Sequence, residues 1–200
     1  MKKLLKKVIK PAYIVIGELK FLGRFLFRIL YLVGQLFPSD SRGCKIRGLI
    51  HKPFLKKCGS NLQIGIGAQL EHMYNIEVGK DVYIGPGCWI CGIRGGIIFE
   101  DQVMLGPKIS MVSSNHTTLN NSFRFGPGVG KKIIIGRGTW ISANVSVIAG
   151  VRIGQCCLVA AGAVVTKNFD SYSIIGGVPA KLIGNCIEKY NTNDIENSDN

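Results

Sequence analysis

The stretch IGRGTWISANVSVIAGVRIGQCCLVAAGAVVTKNFD, Ile135–Asp170, divides into six units of six residues without a gap. Each unit opens on Ile or Val, at 135, 141, 147, 153, 159 and 165. The fifth place holds Thr139, Val145, Val151, Cys157 and Ala163, all small or β-branched, until Phe169. A helix repeats its apolar residues about every 3.6 positions and a simple strand about every second one, so a period of six fits neither. It fits a short strand plus a tight corner, with one aliphatic side chain turned inward per unit. A glycine after that aliphatic supplies backbone freedom for the corner. Such units stack into a parallel β-helix whose core is a ladder of Ile, Val and Leu.

The same beat extends upstream. IGIGAQ starts at Ile64 and LEHMYN at Leu70; after a slip of two residues come VGKDVY from Val78 and IGPGCW from Ile84. Phe99, Leu105 and Met111 carry the period to its one long break, MVSSNHTTLNNSFRFGPGVGKK, Met111–Lys132. Long loops leaving a rigid scaffold carry function more often than repeat corners do, and this one holds one of three histidines. His51 precedes the repeats and His72 sits within a coil, so both read as structural.

The segment TWISANVSVIAGVRIGQCCLVAAGAVVTKN, followed by GGVPAKLIG, is similar to the closing coils of galactoside and maltose O-acetyltransferases. LKKCGSNLQIG resembles the opening coil of polysaccharide-modifying O-acetyltransferases. On these residues the chain resembles the hexapeptide-repeat acyltransferases, over residues 42–184. The resemblance implies an all-β fold, a left-handed parallel β-helix with three hexapeptides per coil and an extruded loop at residues 112–132. That hand is an exception to the usual right-handed crossover. A basic amphipathic α-helical arm, residues 1–41, precedes it, and a polar tail, residues 185–200, follows.

Acyl transfer to an alcohol or amine needs a base of near-neutral pKa to take the acceptor's proton, and histidine suits that task. The resemblance makes His116 that base. It places Ser113 where relatives often carry an acid, which leaves Ser113, Asn115 or a backbone carbonyl to orient the imidazole. Phe123 and Arg124, at the loop tip, are candidates for acceptor contact. The donor it implies is acetyl-CoA, laid in a groove between neighbouring subunits of a homotrimer against Trp140, Ala143, Ala161, Thr166, Lys167 and Lys181. The two lysines would meet the CoA phosphates as point charges. No metal is expected: a γ-type carbonic anhydrase shares this fold, but Met111 and Asn121 stand where two of its zinc-binding histidines would be.

Charge locates the partners. Nearly all of the net +13 resides in the first 60 residues, where 14 Lys and Arg face 2 acidic residues, a surplus of 12. Lys20, Arg24 and Arg28 fall on one helical face, with Phe21, Leu22, Phe25, Leu26, Ile29 and Leu32 on the remainder. A basic stripe opposite Phe and Leu fits a helix lying in a membrane interface; docking on the protein's own body or a sister subunit is the competing reading. Charges interrupt the run before the ~20 apolar residues of a membrane span are reached. Nucleic-acid motifs are absent, so nucleic acid is not an expected partner. The seven cysteines form no secreted disulfide framework, and Cys88 and Cys91 read as buried thiols.

The expectation is an acetyl-CoA-dependent O-acetyltransferase acting on a sugar hydroxyl of a surface-polysaccharide or lipid-linked saccharide precursor. It would work in the cytoplasm, with peripheral membrane contact through residues 1–37 at the inner face of the cytoplasmic membrane. An amino-sugar N-acetyltransferase and an antibiotic O-acetyltransferase use the same base and remain open. A non-catalytic, membrane-associated trimeric scaffold is the alternative of another class.

Overall fold

The six-residue beat becomes three short strands per coil. A computed structural model describes residues 22, 23 and 25–189. Coil one contains β1 (Lys57–Cys58), β2 (Gln63–Ile64) and β3 (Gln69–Glu71); coil two contains β4 (Ile76–Val78), β5 (Tyr83–Ile84) and β6 (Trp89–Cys91). Coil three contains β7 (Ile97–Phe99), β8 (Met104–Leu105) and β9 (Ser110–Val112). A hairpin, β10 (Ser114–His116) and β11 (Gly128–Gly130), then leaves the coil. Coil four resumes with β12 (Ile133–Ile135), β13 (Trp140–Ile141) and β14 (Ser146–Val147). Coil five contains β15 (Arg152–Ile153), β16 (Leu158–Val159) and β17 (Val164–Val165). At the far end β18 (Ser173–Gly176) and the antiparallel β19 (Lys181–Asn185) close the stack, followed by α3 (Cys186–Lys189).

The strands form three walls of a left-handed β-helix. Sheet A is β1-β4-β7-β12-β15, sheet B is β2-β5-β8-β13-β16-β18-β19, and sheet C is β3-β6-β9-β14-β17. Backbone hydrogen bonds join each coil to the next: Ile134 to Val151 in sheet A, Trp140 to Cys157 in B, and Ser146 to Ala163 in C. The expected ladder is the core. Ile135, Ile141, Val147, Ile153, Val159 and Val165 are buried, as are Thr139, Val145, Val151, Cys157 and Ala163 of the fifth place. Cys88 and Cys91 are also buried, and burial pushes the Cys88 thiol up to about 11, which favours the protonated form.

The corner glycines act differently from the expectation. Gly136 and Gly154, which follow the inward aliphatics, lack left-handed torsions; a Cβ there would collide with backbone of the next coil. Left-handed torsions occur two residues further on, at Gly138 (φ 68°) and Cys156 (φ 51°). The first position is small because coils touch there, and the second makes the bend.

Two helices cover the N-terminal end: residues 25–35 (α1) and Ser41–His51 (α2). Asp40 caps α2 by accepting the Gly43 N–H at 2.7 Å. Arg47 on α2 is 1% exposed and faces carbonyls rather than a carboxylate. It donates to Ile64 of coil one at 2.7 Å, and to Gly34 and Phe37 at the C-terminal end of α1 at 3.3 and 3.0 Å. The Gly34 carbonyl otherwise accepts only a long 3.4 Å bond from the Phe37 N–H, and both carbonyls lie at the negative end of the helix dipole, so one cation satisfies them and ties both helices to the coil. Gln35 accepts the Gly67 N–H at 2.7 Å, and Phe27 packs edge-on against His51 and Phe54.

Lys20, Phe21, Arg24 and the tail beyond residue 189 lie outside the described residues. No helix among the described residues is long and apolar enough to cross a membrane.

His51 Nδ1 lies 2.7 Å from the Arg47 carbonyl and donates to it in the neutral tautomer. Burial lowers its pKa, opposed by that hydrogen bond and assisted by the Arg47 charge. A depressed histidine contributes stability that is complete above the unfolded value of about 6.5 and is lost as pH falls below it. Melting temperature should therefore drop from about pH 7.5 to about pH 5, and His51→Gln should remove most of that dependence. An identical pH profile in the variant would contradict this role.

Candidate active site

β9 ends at Val112 and β12 opens at Ile133, so the non-repeating stretch leaves at the corner between sheets C and A, hereafter corner C. It is an ordered hairpin at its root. Ser114 pairs with Gly130, Asn115 with Val129 and His116 with Gly128. Thr117 sets the next rung, its N–H and Oγ1 both donating to the Pro127 carbonyl at 3.1 and 2.7 Å. Leu119 and Ser122 then exchange two backbone hydrogen bonds of 3.0 Å around Asn120 and Asn121, both with positive φ. This is the torsion pattern of a tight hairpin turn of type I′, and Asn tolerates it. Beyond it Phe123 and Phe125 are exposed, with the Arg124 guanidinium 5.9 Å above the Phe125 ring.

His116 stands at the last rung of β10, exposed, with no hydrogen-bond partner for its imidazole among the described residues. The structure corrects two expectations about its surroundings. Ser113 is fully buried, its Oγ lying 2.9 Å from the Ile93 carbonyl and 3.3 Å from that of Cys91 while accepting the Gly96 N–H at 3.0 Å. Its hydroxyl fastens the root of the loop to coil two and reaches neither substrate nor imidazole. Asn115 is adjacent to His116 on a strand, and adjacent strand residues point to opposite faces, so its side chain leaves the imidazole free. Neither side chain holds the histidine.

The residues expected at the donor divide between two columns. Trp140 is on the outer face of sheet B, Ala143 and Ala161 stack at the corner between sheets B and C (corner B), and Lys181 opens β19 beside Gly176. Thr166 and Lys167 lie at corner C after β17, on the His116 side, with the Lys167 ammonium 5.6 Å from the Phe169 ring centroid. Sheet C stands between the columns: Ala143 and Ile148, on either side of β14, are five residues apart, roughly 16 Å of extended chain. Within one chain, His116 and the Ala143–Ala161 column do not meet. Corner B is nevertheless open, since a Cβ added at Gly162 would meet nothing within 4 Å, and an extended thread can lie against it. A depression of about 310 Å³ on sheet A, lined by Lys57, Glu77, Glu100 and Arg137 among others, contains none of these residues.

The hairpin pairing and the position of Arg94 were not read from the sequence. The Asn120-Asn121 pair and the Gly128-Val129-Gly130 pattern are the signals that could have revealed the hairpin.

Fold and site together define a β-helical protein with an exposed histidine at the root of a loop extruded from the coils. Comparison with known proteins supplies the class. Residues 132–167 match the bacterial transferase hexapeptide (six repeats) family. A Staphylococcus aureus (strain Mu50) protein described as an acetyltransferase is 32% identical over 157 residues, covering 78% of this chain and 76% of that protein. A galactoside O-acetyltransferase of Lactococcus lactis is 25% identical over 164 residues, covering 82% and 67%. The solved structure of a galactoside acetyltransferase in complex with coenzyme A superposes with a TM-score of 0.69 at 21% identity, covering 84% of this chain and 82% of the other. The chain belongs to the hexapeptide-repeat acyltransferase family.

Proposed function

We propose that this acyltransferase moves an acetyl group from acetyl-CoA to a hydroxyl of a saccharide precursor, with His116 as general base. The observation that carries the reading is the open imidazole of His116, held on a backbone-paired strand where the loop leaves the coil. The donor supplies a thioester carbonyl that the hydroxyl oxygen attacks. His116 takes the hydroxyl proton as the C–O bond forms, and returns it to the departing sulfur as the C–S bond breaks. One imidazole thus serves both proton transfers, and the products are an acetyl ester and a free thiol.

The two columns favour a site shared between subunits. A homotrimer in which corner C of one chain faces corner B of the next would bring His116 toward Ala143 and Ala161 across the groove. The exposed Lys167 and Lys181 then offer charge to the donor's phosphates, and the small corner residues leave room for its pantetheine arm.

A membrane-surface acceptor is supported by α1. Its inner side, with Phe27, Tyr31, Gly34 and Gln35, turns toward the body, while Leu22, Phe25, Leu26, Ile29, Leu32, Val33 and Leu36 are exposed, Leu36 at 83%. That spacing is one apolar stripe of a helix. The surplus of basic residues around it would repel a second identical surface and attract anionic lipid. We infer a cytoplasmic enzyme lying peripherally on the inner face of the membrane, where a lipid-linked saccharide would be within reach.

His116→Ala should lower thiol release from acetyl-CoA in the presence of a working acceptor by about 10²–10⁴-fold while leaving the oligomer intact. Turnover at the wild-type rate would remove the assignment. The wild type should sediment with vesicles containing phosphatidylglycerol but not with phosphatidylcholine alone, and a triple variant Phe25→Ser, Ile29→Ser, Leu32→Ser should stay in the supernatant. Sedimentation of the variant equal to the wild type would contradict the lipid reading. A change of oligomeric state in its place would assign the stripe to a subunit interface.

A further inference from the structure

The fold carries Arg94 to the face of the hairpin that holds His116. Arg94 lies at corner C of coil two with φ 60°, the left-handed torsion that also makes the bend at other corners, such as Cys156. Its side chain lies along β11. A Cβ added at Gly130 would stand 2.6 Å from Arg94 Cβ, and one added at Gly128 would stand 2.6 Å from the guanidinium carbon and 2.7 Å from Nη1. The two glycines are therefore the space that the arginine occupies. Gly130 pairs with Ser114 and Gly128 with His116. Directly paired strand residues project to one face with Cβ positions about 5 Å apart. The arginine stem thus runs level with Ser114, and its guanidinium comes level with His116 on the same side.

No carboxylate is paired with Arg94 among the described residues. A cation fixed in a slot made by two glycines, exposed beside the residue read as the base and without a carboxylate partner, is free to meet a ligand. We propose that Arg94 is the specificity residue of the site, binding an oxyanion of the acceptor: a carboxylate or phosphate on the saccharide whose hydroxyl His116 deprotonates. The inference rests on the reading of His116 as the base and goes beyond it by naming an acidic saccharide as the acceptor class. A guanidinium presents a planar fork that matches carboxylate and phosphate oxygens two at a time. The separation of guanidinium and imidazole is of the order of one sugar ring, so one residue of the acceptor can span both groups. Because Arg94 is exposed, water screens the pairing, and discrimination of about tenfold is expected rather than an absolute requirement.

The test compares acetyl transfer to methyl glucuronide, glucose 6-phosphate and methyl glucoside by the wild type, Arg94→Gln and Arg94→Lys. The wild type should prefer one or both charged acceptors over the neutral glucoside by about tenfold in kcat/KM. Arg94→Gln should bring that ratio close to one, and Arg94→Lys should keep part of it. The charged acceptor that gains tells carboxylate from phosphate. A wild-type ratio near one, or an equal loss on all three acceptors in Arg94→Gln, would overturn the proposal. If the wild type acetylates none of them, the transfer reading fails on these probes, and binding decides the inference separately. Saturation-transfer NMR titrations of methyl glucuronide or glucose 6-phosphate should then give an unchanged Kd in His116→Ala and a Kd about tenfold weaker in Arg94→Gln; equal Kd values in the wild type and Arg94→Gln would overturn it.

Discussion

The strand N–H groups of each coil must find carbonyls one coil away, and from that requirement the remainder of the molecule follows. Strands in such a ladder are about 4.8 Å apart, so each coil repeats the shape of the last and each inward side chain rests on its predecessor. An insertion cannot enter a wall without breaking that strand's pairing to the coils on both sides. The loop after Val112 obeys this: β14 pairs directly with β9, Ser146 against Ser110 and Val147 against Met111, as though the residues between β9 and β12 were absent. The insertion leaves at a corner, and the corner fixes where His116 emerges. Ser113 fastens that exit by spending its hydroxyl on Ile93 and Gly96.

The rigidity that places the histidine also separates it from the open column of Ala143 and Ala161, because sheet C is a wall between two corners of one coil. On the proposed function, a single chain presents two half-sites facing different directions. Association in a ring would join one half-site to the other, since a heterologous contact repeated around a closed axis brings unlike surfaces together. In that reading the proposed base and the proposed donor groove belong to different subunits, and the loop with its hairpin lies over the seam. The N-terminal cap adds an orientation: Arg47 and Gln35 hold α1 on coil one with its apolar stripe outward, so the end of the β-helix nearest the proposed membrane contact is two coils below His116.

The core was legible in the sequence because its period is a direct consequence of the ladder. Ile135 through Val165 stand inward at every sixth residue, and one misplaced residue would have broken the count. His116 was legible as an exception to that period. What the sequence did not disclose depends on contacts between coils. Gly136 and Gly154 looked like bends and are close approaches, a distinction that requires the neighbouring coil. Ser113 looked like a partner for the histidine, and only its depth inside the corner shows that coil two has already taken its hydroxyl. Arg94 lies 22 residues from His116 in a segment with no motif, and the slot it fills is made by glycines on a third segment. Periodicity reports a residue's position within its own coil and carries no information about what the next coil brings to it.

The claim that a site is assembled from two corners of different chains is tested most directly by mixing two inactive variants. His116→Ala lacks the base, and Ala161→Trp fills the donor column. Each alone should be inactive while folded and oligomeric. Co-expressed in equal amounts they should regain about a quarter of wild-type activity, because a quarter of the interfaces in randomly mixed rings pair an intact histidine with an intact groove. A mixture as inactive as its parts, with mixed oligomers demonstrated, would contradict the account, since a site contained within one chain is never complete in any combination of these two variants.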